Sequence, residues 1–234
     1  MKGVLTRYKL LGNSGLRVSE LALGAMTFGP ETGFGVDKAE SRRVYDAFRD
    51  AGGNFIDAAN VYAAGVSEEY LGEFIGRDRP RIVLATKFTG PMRGRDVNAA
   101  GNSRKNMMDS VHASLQRLKT DCIDLYWVHA RDYLTPIDEV MRGLDDLVRQ
   151  GKVLYVGVLD TPAWVVSQAN TLAELRGLSR FIGLQIRYSL IDRTCAARCP
   201  NARSRLRRKS SRLPTNSALP RHRLRSIGCG KGRR

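Results

Sequence analysis

The chain has 234 residues, of which 42% are hydrophobic, and a formal net charge of +16. The length allows one large domain or two small ones with a sizeable core. The charge would suit a nucleic-acid or membrane-surface protein, but residues 193–234 hold 14 Lys/Arg and no Asp/Glu, while residues 1–192 hold 25 basic and 23 acidic groups. The basic character therefore belongs to the tail.

Cys122, Cys195, Cys199 and Cys229 form no CxxC pair, which argues against a disulfide framework or a zinc site. The N-terminus, Met1 to Arg7, lacks the apolar segment of a signal peptide, and no apolar run approaches the ~18 residues of a membrane span. A soluble, cytoplasmic chain with no membrane partner is expected.

Tyr8 to Val18 holds two extended pieces around Gly12-Asn13-Ser14-Gly15, the signal of a small hairpin. Leu21-Ala22-Leu23-Gly24 is a short apolar strand. Asp37, with Glu40 three positions on, starts a helix that places Val44, Tyr45, Phe48 and Ala51 on one face and stops at Gly52-Gly53. Phe55-Ile56 leads into Asp57, after which Ser67 can cap a helix carrying Tyr70, Leu71, Phe74 and Ile75. Ile82 to Thr86 is an uninterrupted apolar run, as expected of a strand covered on both faces, and ends at Lys87.

A long loop rich in Gly and Arg follows, Phe88 to Gly101, before Asn102 or Ser103 opens a helix with Met108, Val111, Leu115 and Leu118 at helical spacing. Ile123 to Val128 is the next strand and ends at His129. Thr135-Pro136 and Thr161-Pro162 are matching helix starts on either side of a strand from Val153 to Val158. Phe181 to Ile186 is a sixth strand, with Gln185 near its end.

Six strands about thirty residues apart, with helical spacing between them, specify successive βα units and a parallel sheet. An open doubly wound sheet for a dinucleotide would carry GxGxxG after its first strand, and Gly24-Ala25-Met26-Thr27-Phe28-Gly29 does not match. In a (β/α)8 barrel the chemistry sits at the carboxyl ends of several strands. Asp57, Lys87 and His129 end the second, third and fourth, which favours the barrel.

Those residue types make a general-acid device for a carbonyl. A free tyrosine, with a pKa of about 10, is a poor proton donor near neutrality, and an adjacent lysine cation favours the phenolate. A carboxylate can hold the lysine, and a histidine can orient the substrate oxygen. Tyr62, five residues beyond Asp57, supplies the phenol.

The chain resembles the aldo-keto reductases over residues 8 to 193. The likeness is carried by Leu23 to Gly29, Asn54 to Tyr62, Ala85-Thr86-Lys87, Gly101 to Asn106, Leu115 to Asp121, Ile123 to His129, Leu144 to Val153 and Gln185 to Leu190. The resemblance implies an α/β fold, a (β/α)8 TIM barrel, here incomplete at about six βα units. It implies Tyr62 as proton donor, Asp57 and Lys87 as its tuning pair, and His129 as substrate orienter. It further implies NADPH (NADP) as cofactor and a small-molecule carbonyl substrate. Gly24, Met26, Thr27, Asp57, Asp160, Gln185, Tyr188, Ser189 and Leu190 match the family's nicotinamide-side positions.

The family's usual Gly-Val-Ser-Asn or Gly-Val-Ser-Asp after the fifth strand is Gly157-Val158-Leu159-Asp160 here. Leu159 cannot hydrogen-bond to a carboxamide, whereas Asp160 retains that capacity. Ala130-Arg131-Asp132 follows His129 where many relatives have a tryptophan of the substrate pocket.

The family pattern stops near Thr194. Residues 194–234 contain no aromatic and no valine, so the tail is expected to be disordered or the product of a frameshift, with strands seven and eight missing. The expected consequences are low stability, weak or absent NADPH binding and loss of activity. Two other functions are open: a non-catalytic nicotinamide-binding regulatory subunit on the same scaffold, and nucleic-acid binding through the tail. The tail lacks the interleaved aromatics of a nucleic-acid module. Zinc binding by Cys195, Cys199, His222 and Cys229 has irregular spacing.

Overall fold

A computed structural model describes residues 6–189 and 191, apart from 31, 32, 34, 93 and 95. The expectations for Leu190, for the tail from residue 194, and for a tail zinc site fall outside the described residues. One compact unit ends at Ser189.

A hairpin of β1 (Tyr8–Leu10) and β2 (Arg17–Ser19) precedes the main sheet. The sheet runs β3 (Leu23–Gly24), β4 (Phe55–Asp57), β5 (Val83–Phe88), β6 (Ile123–Val128), β7 (Val153–Leu159) and β8 (Phe181–Gln185), all parallel and in sequence order. Helices α1 (Lys38–Asp50), α2 (Val66–Ile75), α3 (Arg104–Leu118), α4 (Ile137–Arg149) and α5 (Ala163–Arg176) lie between consecutive strands from β3 onward.

The sheet is curled. β4 and β8 are four strand steps apart, which in a flat sheet is about 19 Å, yet Gln185 Nε2 on β8 donates to Asp57 Oδ2 on β4 at 3.2 Å. Only a barrel-like curvature brings those strand ends together, so the architecture is six βα units of a (β/α)8 barrel.

Strand alternation divides the core in two. Ile56, Leu84, Tyr126, Val128, Val156 and Val158 face outward against Leu71, Phe74, Met107, Val111, Met141, Leu144, Ala169 and Ala173 of the helices. Ala85, Leu125, Trp127 and Leu159 form the inner cluster, with Leu11 of the hairpin turn packed against it. The hairpin is fastened to the N-terminal end of β4, where Asn54 Oδ1 accepts the Ser19 N–H at 2.7 Å and Asn54 Nδ2 donates to Arg17 O at 3.1 Å. It closes the end of the sheet opposite the polar strand ends.

Several local expectations need correction. Asp37 and Ser103 do cap their helices, accepting from Glu40 N and Asn106 N, but Ser67 does not. Helix α2 begins at Val66 behind a left-handed Gly65, and the Ser67 hydroxyl donates instead to Ala25 O at 2.7 Å. Helices α4 and α5 begin after Pro136 and Pro162, while Thr135 donates to Asp132 Oδ2 and Thr161 to Leu159 O. Val44 is 39% exposed, so the buried face of α1 centres on Tyr45. β5 runs one residue beyond Lys87.

Inner packing is tightest where the Trp127 ring lies over Gly157 of β7. A Cβ on Gly157 would stand 2.3 Å from two ring carbons, and the Trp127 ring, 4% exposed, packs against Gly183 as well. Gly157→Ala is therefore expected to destabilise the protein by about 1–3 kcal/mol, measured by urea denaturation; an unchanged midpoint would contradict this packing.

Candidate active site

The carboxyl ends of the strands carry the polar residues. On β5 the side chains of Leu84, Thr86 and Phe88 turn outward, which sends Lys87 inward. Lys87 is 1% exposed. A buried ammonium needs acceptors for all three of its protons, and it has them: Asp57 Oδ2 at 2.7 Å, Ala58 O at 2.7 Å and Tyr62 Oη at 3.0 Å.

With its three N–H groups committed, Lys87 makes the Tyr62 oxygen an acceptor. The phenol's own proton is then left to point elsewhere. The Lys87 ammonium also lies 4.7 Å from the Tyr62 ring centroid.

Register fixes the partners. Gly24 pairs with Asp57 and Asp57 with Ala85, while Ala25 N–H donates to Asp57 O and Asn60 N–H to Lys87 O at 3.1 Å. Two acceptors at this rim, Asp57 Oδ1 and Gln185 Oε1, are buried without a donor.

His129 follows β6, its N–H donating to Phe88 O at 3.1 Å. Its ring stands edge-on to Tyr62, centroids 6.0 Å apart and planes at 86°. Burial, then the Lys87 cation, push its pKa down from 6.5 to about 4, so at neutral pH the imidazole is uncharged and carries one N–H and one lone pair.

Asp57, Lys87, Tyr62 and Gln185 are thus joined by direct bonds, with His129 beside the phenol. Asp160 is exposed at φ +39° immediately after β7, and its N–H donates to Gln185 O at 3.1 Å. Met26 and Thr27 are half-buried on the loop after β3, and Tyr188 and Ser189 follow β8, with Tyr188 42% exposed. Leu159 packs into the inner cluster.

Residues 20–200 match the family model described as the aldo/keto reductase family. The chain belongs to that family. It is 48% identical to norsolorinic acid reductase B of Aspergillus parasiticus over 78% of its own length and 50% of the relative's. It is 47% identical to an aryl-alcohol dehydrogenase [NADP(+)] of Phanerodontia chrysosporium, over 74% of its length and 49% of the relative's. A putative aryl-alcohol dehydrogenase of Saccharomyces cerevisiae is 42% identical over 81% and 54%. The chain spans about half the length of the curated relatives it matches.

Three features of the candidate site escape sequence reasoning. Ala63 (φ 47°) and Ala64 (φ 53°) are left-handed directly after Tyr62 and carry no glycine to announce it. Asn60 is fully buried between Asp57 and Tyr62, and Glu68 is fully buried with Thr86 and Arg117 as partners. Among the described residues, no cluster of His, Cys, Asp and Glu could hold a metal, and no helix is long and apolar enough to cross a membrane.

The low pKa of His129 has a stability consequence. The folded state disfavours protonation of this ring relative to the unfolded chain, so its contribution is complete above pH 6.5 and is lost as pH falls through about 4. His129→Gln should therefore lose less thermal stability than the parent between pH 6.5 and 4. An imidazole NMR titration midpoint near 6.5 for His129 would contradict it.

Proposed function

We propose that the protein is an NADPH-dependent oxidoreductase that reduces aldehyde or ketone carbonyls to alcohols, with Tyr62 as proton donor. The observation that carries this reading is the fully committed Lys87 ammonium, which leaves the Tyr62 hydroxyl proton available to a substrate. The catalytic unit proposed is residues 1–193, with 194–234 outside it.

The residues suit a nicotinamide. A carboxamide NH2 has two protons to donate, and Asp57 Oδ1 and Gln185 Oε1 are buried acceptors without donors on one rim. Gly24, Met26, Thr27, Asp160, Tyr188 and Ser189 would hold the ring around that contact, with Tyr188 offering an aromatic face. NADPH, when bound, supplies the hydride.

The chain's own residues do the rest. Neutral His129 donates its N–H to the carbonyl oxygen and orients it towards Tyr62 Oη. Tyr62 delivers its proton as negative charge develops on that oxygen. The ammonium of Lys87, 3.0 Å from Oη, stabilises the phenolate left behind, and Asp57 keeps that ammonium in place. The names of the relatives make aromatic aldehydes and ketones the first substrates to try.

Tyr62→Phe should lower aldehyde-dependent NADPH oxidation by about 100-fold or more, while NADPH binding, followed by fluorescence titration, stays close to the parent's. Equal measurable rates in parent and variant would show that Tyr62 is not the proton donor, and an inactive parent that still binds NADPH would instead support a binding-only role on this scaffold.

A further inference from the structure

Behind the proposed catalytic residues, on the outer face of β5, a fully buried carboxylate pairs with a half-buried arginine, and neither is bonded to Lys87 or Tyr62. Glu68, in the first turn of α2, has no exposed surface. Its Oε1 accepts the Thr86 hydroxyl at 2.5 Å, and its Oε2 accepts Arg117 Nε from α3 at 2.7 Å. Thr86 is also fully buried and immediately precedes Lys87, its side chain on the opposite face of the strand.

Arg117 has a second contact. A Cβ on Gly65 would stand 3.0 Å from Arg117 Cδ, so the arginine stem lies against the backbone of the turn that follows Tyr62. That turn takes three consecutive left-handed residues, Ala63 (φ 47°), Ala64 (φ 53°) and Gly65 (φ 105°). Two of them are alanines, for which this conformation is unfavourable and persists only where the surroundings over-determine it.

An ion pair built on a buried carboxylate adds little net stability over apolar residues of the same volume, so stability alone does not account for this one. We propose that Glu68 and Arg117 are positioning residues for Tyr62 and Lys87, clamping β5 through Thr86 and the left-handed turn through Gly65. The pair thereby fixes the two catalytic side chains from behind. The inference rests on the assignment of Tyr62 and Lys87 to catalysis.

The test replaces the clamp with apolar side chains of similar volume: Glu68→Met, Arg117→Met and Thr86→Val in one variant. Amide hydrogen exchange is read by mass spectrometry without cofactor or substrate. The N–H groups of Asn60, Tyr62 and Ala64, bonded to Lys87 O, Ala59 O and Val61 O, should exchange about tenfold faster or more, with α4 and β7 unchanged. In an active parent, kcat should also fall while KM holds.

Unchanged protection over residues 59–65 in a folded variant, or a retained kcat, overturns the proposal. Should the triple variant fail to fold, Thr86→Val alone must speed exchange at Asn60, and parental protection there overturns it equally. A parent without reductase activity would count against the proposed function and leave the exchange result standing.

Discussion

The structure depends on how a lysine cation is kept out of water at the end of β5. Moving an ammonium from water into a protein interior costs several kcal/mol unless its protons find acceptors in good geometry. For Lys87 those acceptors come from the end of β4, from the backbone just after it, and from Tyr62 four residues further on. The β4–β5 register, the loop from Ala58 to Tyr62 and the turn beyond it are all constrained by that requirement. A change in any of them leaves a buried charge short of a partner. Asp57 extends the constraint across the barrel through Gln185, so one network ties the second strand of the sheet to the last.

Much of this was legible in the sequence, for physical reasons. Apolar runs that end in Asp57, Lys87 and His129 reveal both the strands and the polar rim, because a strand buried on both faces has few other places for a charged side chain. Asp37 was legible as a cap, and the start of α3 as Asn102 or Ser103, because capping is a local interaction between neighbours in sequence. Ser67 was not, since its hydroxyl serves a carbonyl 42 residues away, at Ala25. The Gln185–Asp57 bond spans 128 residues and becomes visible only once the curl is known. Glu68 and Arg117 carry no local signal in the sequence, and only the packing of α2 against α3 and β5 shows Glu68 fully buried and Arg117 half-buried beside it. Leu159 illustrates the reverse, a loss of hydrogen bonding that was readable, with its place in the inner cluster supplied by the fold.

Membership of the aldo/keto reductase family and coverage of about half of each relative set the frame for function. Among the described residues β3 and β8 each pair on one side only, leaving unpaired backbone groups along two edges. The curl of the sheet is nonetheless supported from within, by Trp127 against Gly157 and Gly183, by Leu11 under the inner cluster, and by the Gln185–Asp57 bond. All four residues proposed for catalysis lie on described strands and the loops next to them.

Under the proposed function, these six strands hold the nicotinamide side of a reductase site. Binding of reduced nicotinamide mononucleotide, which lacks the adenosine half of NADPH, tests it most directly. Titration calorimetry should show saturable binding to the parent, weakened about tenfold or more by Gln185→Ala, the loss of one buried hydrogen-bonding partner. Binding that is absent in the folded parent, or indifferent to Gln185→Ala and Asp57→Asn alike, would contradict a nicotinamide site at this rim.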